Sequence, residues 1–163
     1  MLSDNGGDCI HPEKGGVKHT HNLPLRSGKG SVYEGGIRVP MVVSWGDNIA
    51  HGTKIKSPVM AEDIYPTILD LAGIDNYKTV QKIDGKSLVG LLTGDRSSVD
   101  YNRAVLTHFP HQWRPEVNDD IDYMTALREG DWKLVVKRGT PYLYNLKDDI
   151  HEDKDVAVFY PQQ

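Results

Sequence analysis

The stretch DYMTALREGDWKLVVKRGTPYLYN, residues 122–145, decides the fold of the second half of this chain. It holds three short runs, 122–128, 132–137 and 141–145, rich in aromatic, leucine and valine side chains and parted only by turn residues. Glu129-Gly130-Asp131 between the first two is a hairpin signal, since a tight turn favours glycine. Runs this close leave no room for the dozen or more residues of a parallel crossover, so the strands must be antiparallel neighbours. A fourth run, 104–109, precedes them. The spacing predicts an antiparallel meander, followed by a charged tail over 147–155 that is predicted helical or frayed.

Toward the N-terminus the apolar period becomes helical. Residues 62–73 place Ile64, Ile68, Leu71 and Ala72 on one predicted face, with Asp63 at the N-cap position, Pro66 in the first turn and Gly73 as the stop. Residues 87–92 predict a second, shorter helix ended by Thr93-Gly94-Asp95. Val39-Pro40-Met41-Val42-Val43-Ser44-Trp45 reads as a buried strand, the edge or last strand of a mostly parallel sheet. Residues 4–38 form a long loop rich in glycine, proline and histidine, of a length that is usually functional or disordered.

Only Met1, Leu2 and Ser3 stand before the loop, where an α/β fold normally has a whole strand. The expectation is a chain cut inside a larger fold. On that reading the apolar faces of residues 1–46 are exposed, and either residues 6–36 are mobile or self-association covers the Val39–Trp45 strand.

Composition narrows the function classes. The 163 residues carry 19 basic and 23 acidic side chains, a net charge of −4, with no basic stripe, so nucleic acid is not an expected partner. No apolar run approaches the roughly 20 residues of a membrane helix, so no membrane partner is expected either. Cys9 is the single cysteine, which rules out an internal disulfide.

Asp4-Asn5 offers two hard oxygen donors at a presumed strand end. Calcium takes about 6–8 oxygens, so the pair reads either as part of a calcium site or as a plain Asp-Asn-Gly turn. Leu25-Arg26-Ser27-Gly28-Lys29-Gly30 sets an ammonium between glycines, where the backbone can approach an anion closely. The segment reads either as an anion contact or as a solvated loop. It is not a P-loop, because the GxxxxGK[ST] spacing is missing. Five of the seven histidines fall in three groups: His11, then His19 with His21, then His108 with His111.

Several blocks, in one order, resemble the sulfatase family: Ser3-Asp4-Asn5-Gly6, residues 24–30, and Tyr33-Glu34-Gly35-Gly36-Ile37-Arg38-Val39-Pro40. Residues 63–74, Asp84-Gly85-Lys86-Ser87-Leu88, and Tyr142-Leu143-Tyr144-Asn145-Leu146 before an acidic stretch continue the series. The resemblance implies the C-terminal part of an alkaline-phosphatase-like α/β fold. Residues 1–100 would close the catalytic α/β domain, and 101–163 would form a small antiparallel β-sheet and helix subdomain.

By the same resemblance, Asp4 and Asn5 match calcium ligands and Lys29 matches the lysine that contacts the sulfate ester. His108 and His111 lie in a segment similar to one that approaches the substrate pocket in some bacterial sulfatases, a surface role being the alternative. The family nucleophile is a formylglycine made in a Cys/Ser-x-Pro-x-Arg context. These residues contain no such context: Cys9 has Pro12 three positions on, not two. The expectation is a contributor of calcium and sulfate contacts, inactive alone. The formylglycine would come from an N-terminal part of an exported or periplasmic parent enzyme. The substrate would be a sulfated small molecule or glycan. A phosphoester or phosphonate hydrolase of the same superfamily, or a non-catalytic binding or assembly module, are the alternatives.

Overall fold

Alternation of inward apolar and outward residues folds the second half into one four-stranded sheet: β1 Val105–Phe109, β2 Met124–Glu129, β3 Trp132–Lys137 and β4 Thr140–Asn145. The strands lie in sequence order and all pair antiparallel, the predicted meander. Glu129 pairs with Trp132 across Gly130-Asp131, and Gly130 takes a positive φ of 58°. Lys137 pairs with Thr140 across Arg138-Gly139, both at positive φ, the twist that suits a two-residue hairpin. The computed structural model describes residues 1–8, 22–95, 103–112 and 120–163. Cys9, His11, His19 and His21, all marked by the sequence reading, lie outside the described residues.

One sheet face is the core. Met124, Ala126, Val135 and Tyr144 pack with Leu146 and with Val32 and Tyr33 from the long N-terminal loop. Val32 and Tyr33 are 0% and 1% exposed, against the expectation of exposed apolar faces over residues 1–46, which holds at Met1, Leu23, Val42, Val43 and Trp45. The sheet itself is the apolar surface that covers Val32 and Tyr33. The opposite face aligns Leu106, Leu127, Leu134 and Leu143 in register across all four strands, with Leu106 and Leu127 exposed.

By chain contacts the described residues form two compact units, one of Met1–Val42 with Ala104–Gln163 and one of Val43–Arg103. Val32 and Tyr33 of the N-terminal loop pack on the sheet within the first unit. In the first unit the loop is punctuated by α1, Glu34–Ile37.

In the second unit a 3-10 turn, Ala61–Asp63, leads into α2, Ile64–Leu71, and α3 spans Val89–Thr93. Gly94 ends α3 at a φ of 88°, a left-handed value that glycine adopts without strain. The predicted burial of α2 needs correcting. Ile68 and Ala72 are exposed, and Asp63, Pro66 and Thr67 are buried instead. The reason is polar: Thr67 Oγ1 accepts the Leu88 N–H at 2.8 Å, and Asp63 Oδ1 accepts the Lys86 N–H at 2.8 Å. Asp63 Oδ2 accepts the Met60 N–H and pairs with Arg103. Asp63 precedes α2 as expected, but its carboxylate closes the 3-10 turn rather than capping the α-helix.

Two further expectations fail. Residues 39–45 do not form a buried strand: Val42 and Trp45 are exposed, and among the described residues the segment makes only isolated bridges, Leu2 with Met41 and Trp45 with Asp47. Ser3 N–H to the Pro40 carbonyl and Val42 N–H to the Met1 carbonyl complete the contact of Leu2 with Met41. The charged tail is neither helical nor frayed. It is a series of turns held by Asp149 and Asp155, with a 3-10 turn at Ala157–Phe159 and Glu152 fully buried within it.

Candidate functional site

Three glycine-rich segments meet at one point of the first unit. The Gly6 N–H donates to the Gly36 carbonyl at 2.9 Å, and the Lys29 N–H donates to the Gly7 carbonyl at 3.1 Å. Asn22 locks the junction: its Oδ1 accepts the Gly7 N–H at 3.0 Å, and its Nδ2 donates to the carbonyls of Gly7 and Ser27, both at 2.9 Å. A Cβ on Gly6 would overlap the Gly35 carbonyl oxygen, and one on Gly35 would overlap the carbonyl oxygens of Arg26 and Ser27. Glycine is required because backbone meets backbone.

Through its N–H bond to the Gly7 carbonyl the Lys29 backbone lies against Gly7, two residues after Asn5. Lys29 is exposed, and among the described residues its ammonium makes no ion pair. Asp4 is exposed, with Oδ1 accepting the Asn5 N–H at 3.1 Å, and the Ser3 hydroxyl donates to the Asn5 carbonyl at 2.9 Å. A carboxylate beside an amide oxygen is the donor chemistry calcium takes, but two residues fall well short of about 6–8 ligands. Among the described residues no group of three or more His, Cys, Asp or Glu could hold a metal ion.

His108 and His111 are placed apart from that junction. His108 alternates with Phe109, so it lies on the sheet face opposite the core, with Nδ1 2.8 Å from Thr125 Oγ1. His111 is exposed and meets the Phe109 ring edge-on at 6.0 Å.

Beneath the junction lies a charge network that residue-by-residue reading missed. Strand register sets Arg128 beside Lys133 on the core face, two like charges that would repel without a counter-charge. Glu34, 1% exposed, supplies it. Its Oε1 accepts from Lys133 at 3.0 Å, and its Oε2 meets Arg128 at 3.3 Å and Arg38 at 3.5 Å. The Lys133 ammonium also lies 2.7 Å from Glu152 Oε1, an ion-pair distance without hydrogen-bond alignment. Glu152 Oε2 accepts the Glu34 N–H at 2.7 Å. Burial pushes the Glu152 carboxyl above the ordinary glutamate range, against the opposing pull of Lys133.

Arg26 extends the network. It forks onto Asp120 at 2.7 and 3.1 Å, donates to the Glu152 carbonyl at 2.7 Å, and lies 4.0 Å over the Tyr33 ring. Burial works against the Arg26 charge, but Asp120 outweighs it and the guanidinium holds its proton more tightly than usual. Burial likewise raises the Tyr33 phenol far above its ordinary value. One signal in the sequence could have found this network: Lys133 shares the period-2 face of Val135, and a lysine on a core face needs a buried partner.

Comparison with known proteins gives a consistent picture. Residues 27–162 match the family described as N-sulphoglucosamine sulphohydrolase, C-terminal. A sulfatase of Formosa agariphila is 31% identical over the full chain, which spans 29% of that protein. Rat steryl-sulfatase is 37% identical over 74% of this chain and 22% of its own. The crystal structure of Ps i-CgsB superposes with a TM-score of 0.76 at 29% identity, covering 99% of this chain and 32% of that one. In complex with k-i-k-neocarrahexaose the same protein gives a TM-score of 0.72.

Proposed function

Because the chain belongs to the sulfatase family, through its N-sulphoglucosamine sulphohydrolase C-terminal region, we propose that it forms the ester-gripping side of a sulfate ester hydrolase. The fold class is accordingly the C-terminal part of the alkaline-phosphatase-like sulfatase fold, ending in its four-stranded antiparallel sheet. The observation that carries the proposal is the Lys29 N–H to Gly7 carbonyl bond, which ties the ammonium loop to the Asp4-Asn5 segment.

In this reading Lys29 contacts a sulfate oxygen. Its flexible, compact charge suits an anionic oxygen, and its glycine neighbours let the ester approach the backbone. Asp4 and Asn5 would hold calcium, which when bound supplies positive charge beside the ester oxygens. The role is electrostatic stabilisation of charge on the sulfate as the ester bond breaks. His108 and His111 are assigned to substrate contact from the sheet. Attack on sulfur needs a formylglycine that no Cys/Ser-x-Pro-x-Arg segment of these 163 residues encodes. The chain alone is therefore assigned sulfate-ester binding without turnover. A sulfated glycan or small molecule is the proposed substrate class, and the neocarrahexaose complex of Ps i-CgsB supports an oligosaccharide.

The test is calorimetric titration of the chain with 4-nitrophenyl sulfate and with 4-nitrophenyl phosphate in calcium-containing buffer, beside a turnover assay. Expected are weak binding that prefers the sulfate, loss of that binding in Lys29→Ala, and no turnover. Equal binding by wild type and Lys29→Ala would overturn the sulfate assignment. Release of nitrophenol by the chain alone would overturn the nucleophile assignment.

A further inference from the structure

Glu152 stands 123 positions after Lys29 in sequence, yet it grips both stems of the Lys29 loop. Upstream of Lys29, the Arg26 guanidinium donates to the Glu152 carbonyl at 2.7 Å. Downstream, the Glu34 N–H donates to the Glu152 carboxylate at 2.7 Å. The other carboxylate oxygen rests on Lys133 of the sheet at 2.7 Å. One residue thus ties both ends of the 26–34 loop to the sheet through backbone and side chain together.

Two features mark Glu152 as more than a tail residue. It is 0% exposed although it lies in a polar, surface-following segment. It also takes a φ of +55°, a left-handed conformation uncommon outside glycine. Such a conformation persists where the surroundings over-determine it, and here the Arg26, Glu34 and Lys133 contacts do so. Between the two grips the loop closes on itself: the Ser31 N–H reaches the Gly28 carbonyl at 3.1 Å, and the Tyr33 N–H reaches Ser31 Oγ at 3.0 Å. The stems are also joined by the Gly35 N–H to the Arg26 carbonyl at 2.8 Å, and the Lys29 N–H and Asn22 seat the lobe against Gly7.

We propose that Glu152 is the positioning residue for Lys29, fixing by its double grip where the glycine-flanked ammonium is presented beside the Asp4-Asn5 segment. The consequence for sulfate binding rests on the function proposed above, whereas the fixing of the loop does not. Glu152 touches no substrate in this scheme and acts only through Lys29.

The experiment uses the full chain and two readouts, residue-resolved amide hydrogen exchange and the dissociation constant for 4-nitrophenyl sulfate. Glu152→Ala is expected to speed exchange at the Lys29 amide about tenfold or more, the loss of a hydrogen bond to a charged group. Amides of the β2–β3 ladder keep their protection, and sulfate binding weakens as far as in Lys29→Ala. Glu152→Gln keeps an acceptor for the Glu34 N–H and should restore Lys29 protection close to wild type. Glu152→Asp is one methylene too short to reach both partners and should not. Should the alanine variant not fold, the Gln and Asp pair decides. A Lys29 amide equally protected in wild type, Asp and Gln variants, or unchanged by Ala in a folded sheet, would overturn the proposal. If wild type and Lys29→Ala bind the ester alike while Glu152→Ala still frees the Lys29 amide, the sulfate reading fails and the positioning role stands.

Discussion

The Lys133 ammonium stands 3.0 Å from Oε1 of Glu34, a residue 99 positions earlier, and both side chains are closed to solvent. A buried cation between Glu34 and Glu152 is tolerated only while both carboxylates face it. The contact therefore sets the packing of the N-terminal loop on the sheet.

Removing the cation should be costly. Lys133→Met leaves two carboxylates buried without their shared partner, and the expected loss of stability is about 3–5 kcal/mol. Urea denaturation of wild type and variant measures it. A loss below about 1 kcal/mol would mean that Glu34 and Glu152 need no buried charge partner.

Arg26→Lys tests the fork. Lysine cannot reproduce the two bonds to Asp120, the bond to the Glu152 carbonyl and the stacking over Tyr33 at once. The expected cost is about 2–4 kcal/mol, and a double-mutant cycle with Asp120→Asn should show strong coupling. Additive effects of the two substitutions would contradict the geometry.

The pH dependence follows from Glu152. Its carboxyl is raised in the folded chain by burial. A carboxyl whose folded pKa exceeds its unfolded one binds its proton more tightly when folded. Its contribution to stability is therefore greatest at low pH and falls as pH rises from the ordinary glutamate range through the folded pKa. Denaturation midpoints of wild type and Glu152→Gln, measured in steps from about pH 4 upward, isolate this group. The wild-type advantage should shrink with rising pH. An advantage that grows would reverse the assigned direction.

Gly35→Ala should destabilise by about 1–3 kcal/mol, since its Cβ meets two backbone carbonyl oxygens that have no rotamer to retreat to. Gly7→Ala should cost less, because its nearest obstacle is the Asn22 side chain at 2.8 Å. Thermal melts of the two variants give the ranking, and the reverse order would count against the three-segment junction.

Local sequence was enough for the meander. The β2–β3 and β3–β4 hairpins each join neighbouring runs across two residues, and period-2 alternation sets the faces. For these strands the information lies within about ten residues, whereas β1 reaches β2 across residues 110–123. The glycine junction was legible only in part: the glycines flanking Lys29 signal a backbone that can approach an anion, whereas Gly6, Gly35 and Gly36 meet backbone carbonyls that local sequence does not name. Residues 39–45 show the opposite case: an apolar run states that it wants burial but not what will cover it. The face of α2 was misjudged because the Lys86 and Leu88 N–H groups, more than 20 positions from Asp63 and Thr67, needed acceptors more than Ile68 needed a core. Glu34, Lys133 and Glu152 are ordinary charged residues until the sheet and the loop close on each other. Composition and spacing determined which pieces this protein contains. Only tertiary structure decided which charges are buried together, because the cost of burying a charge depends on a partner that chain distance does not reveal.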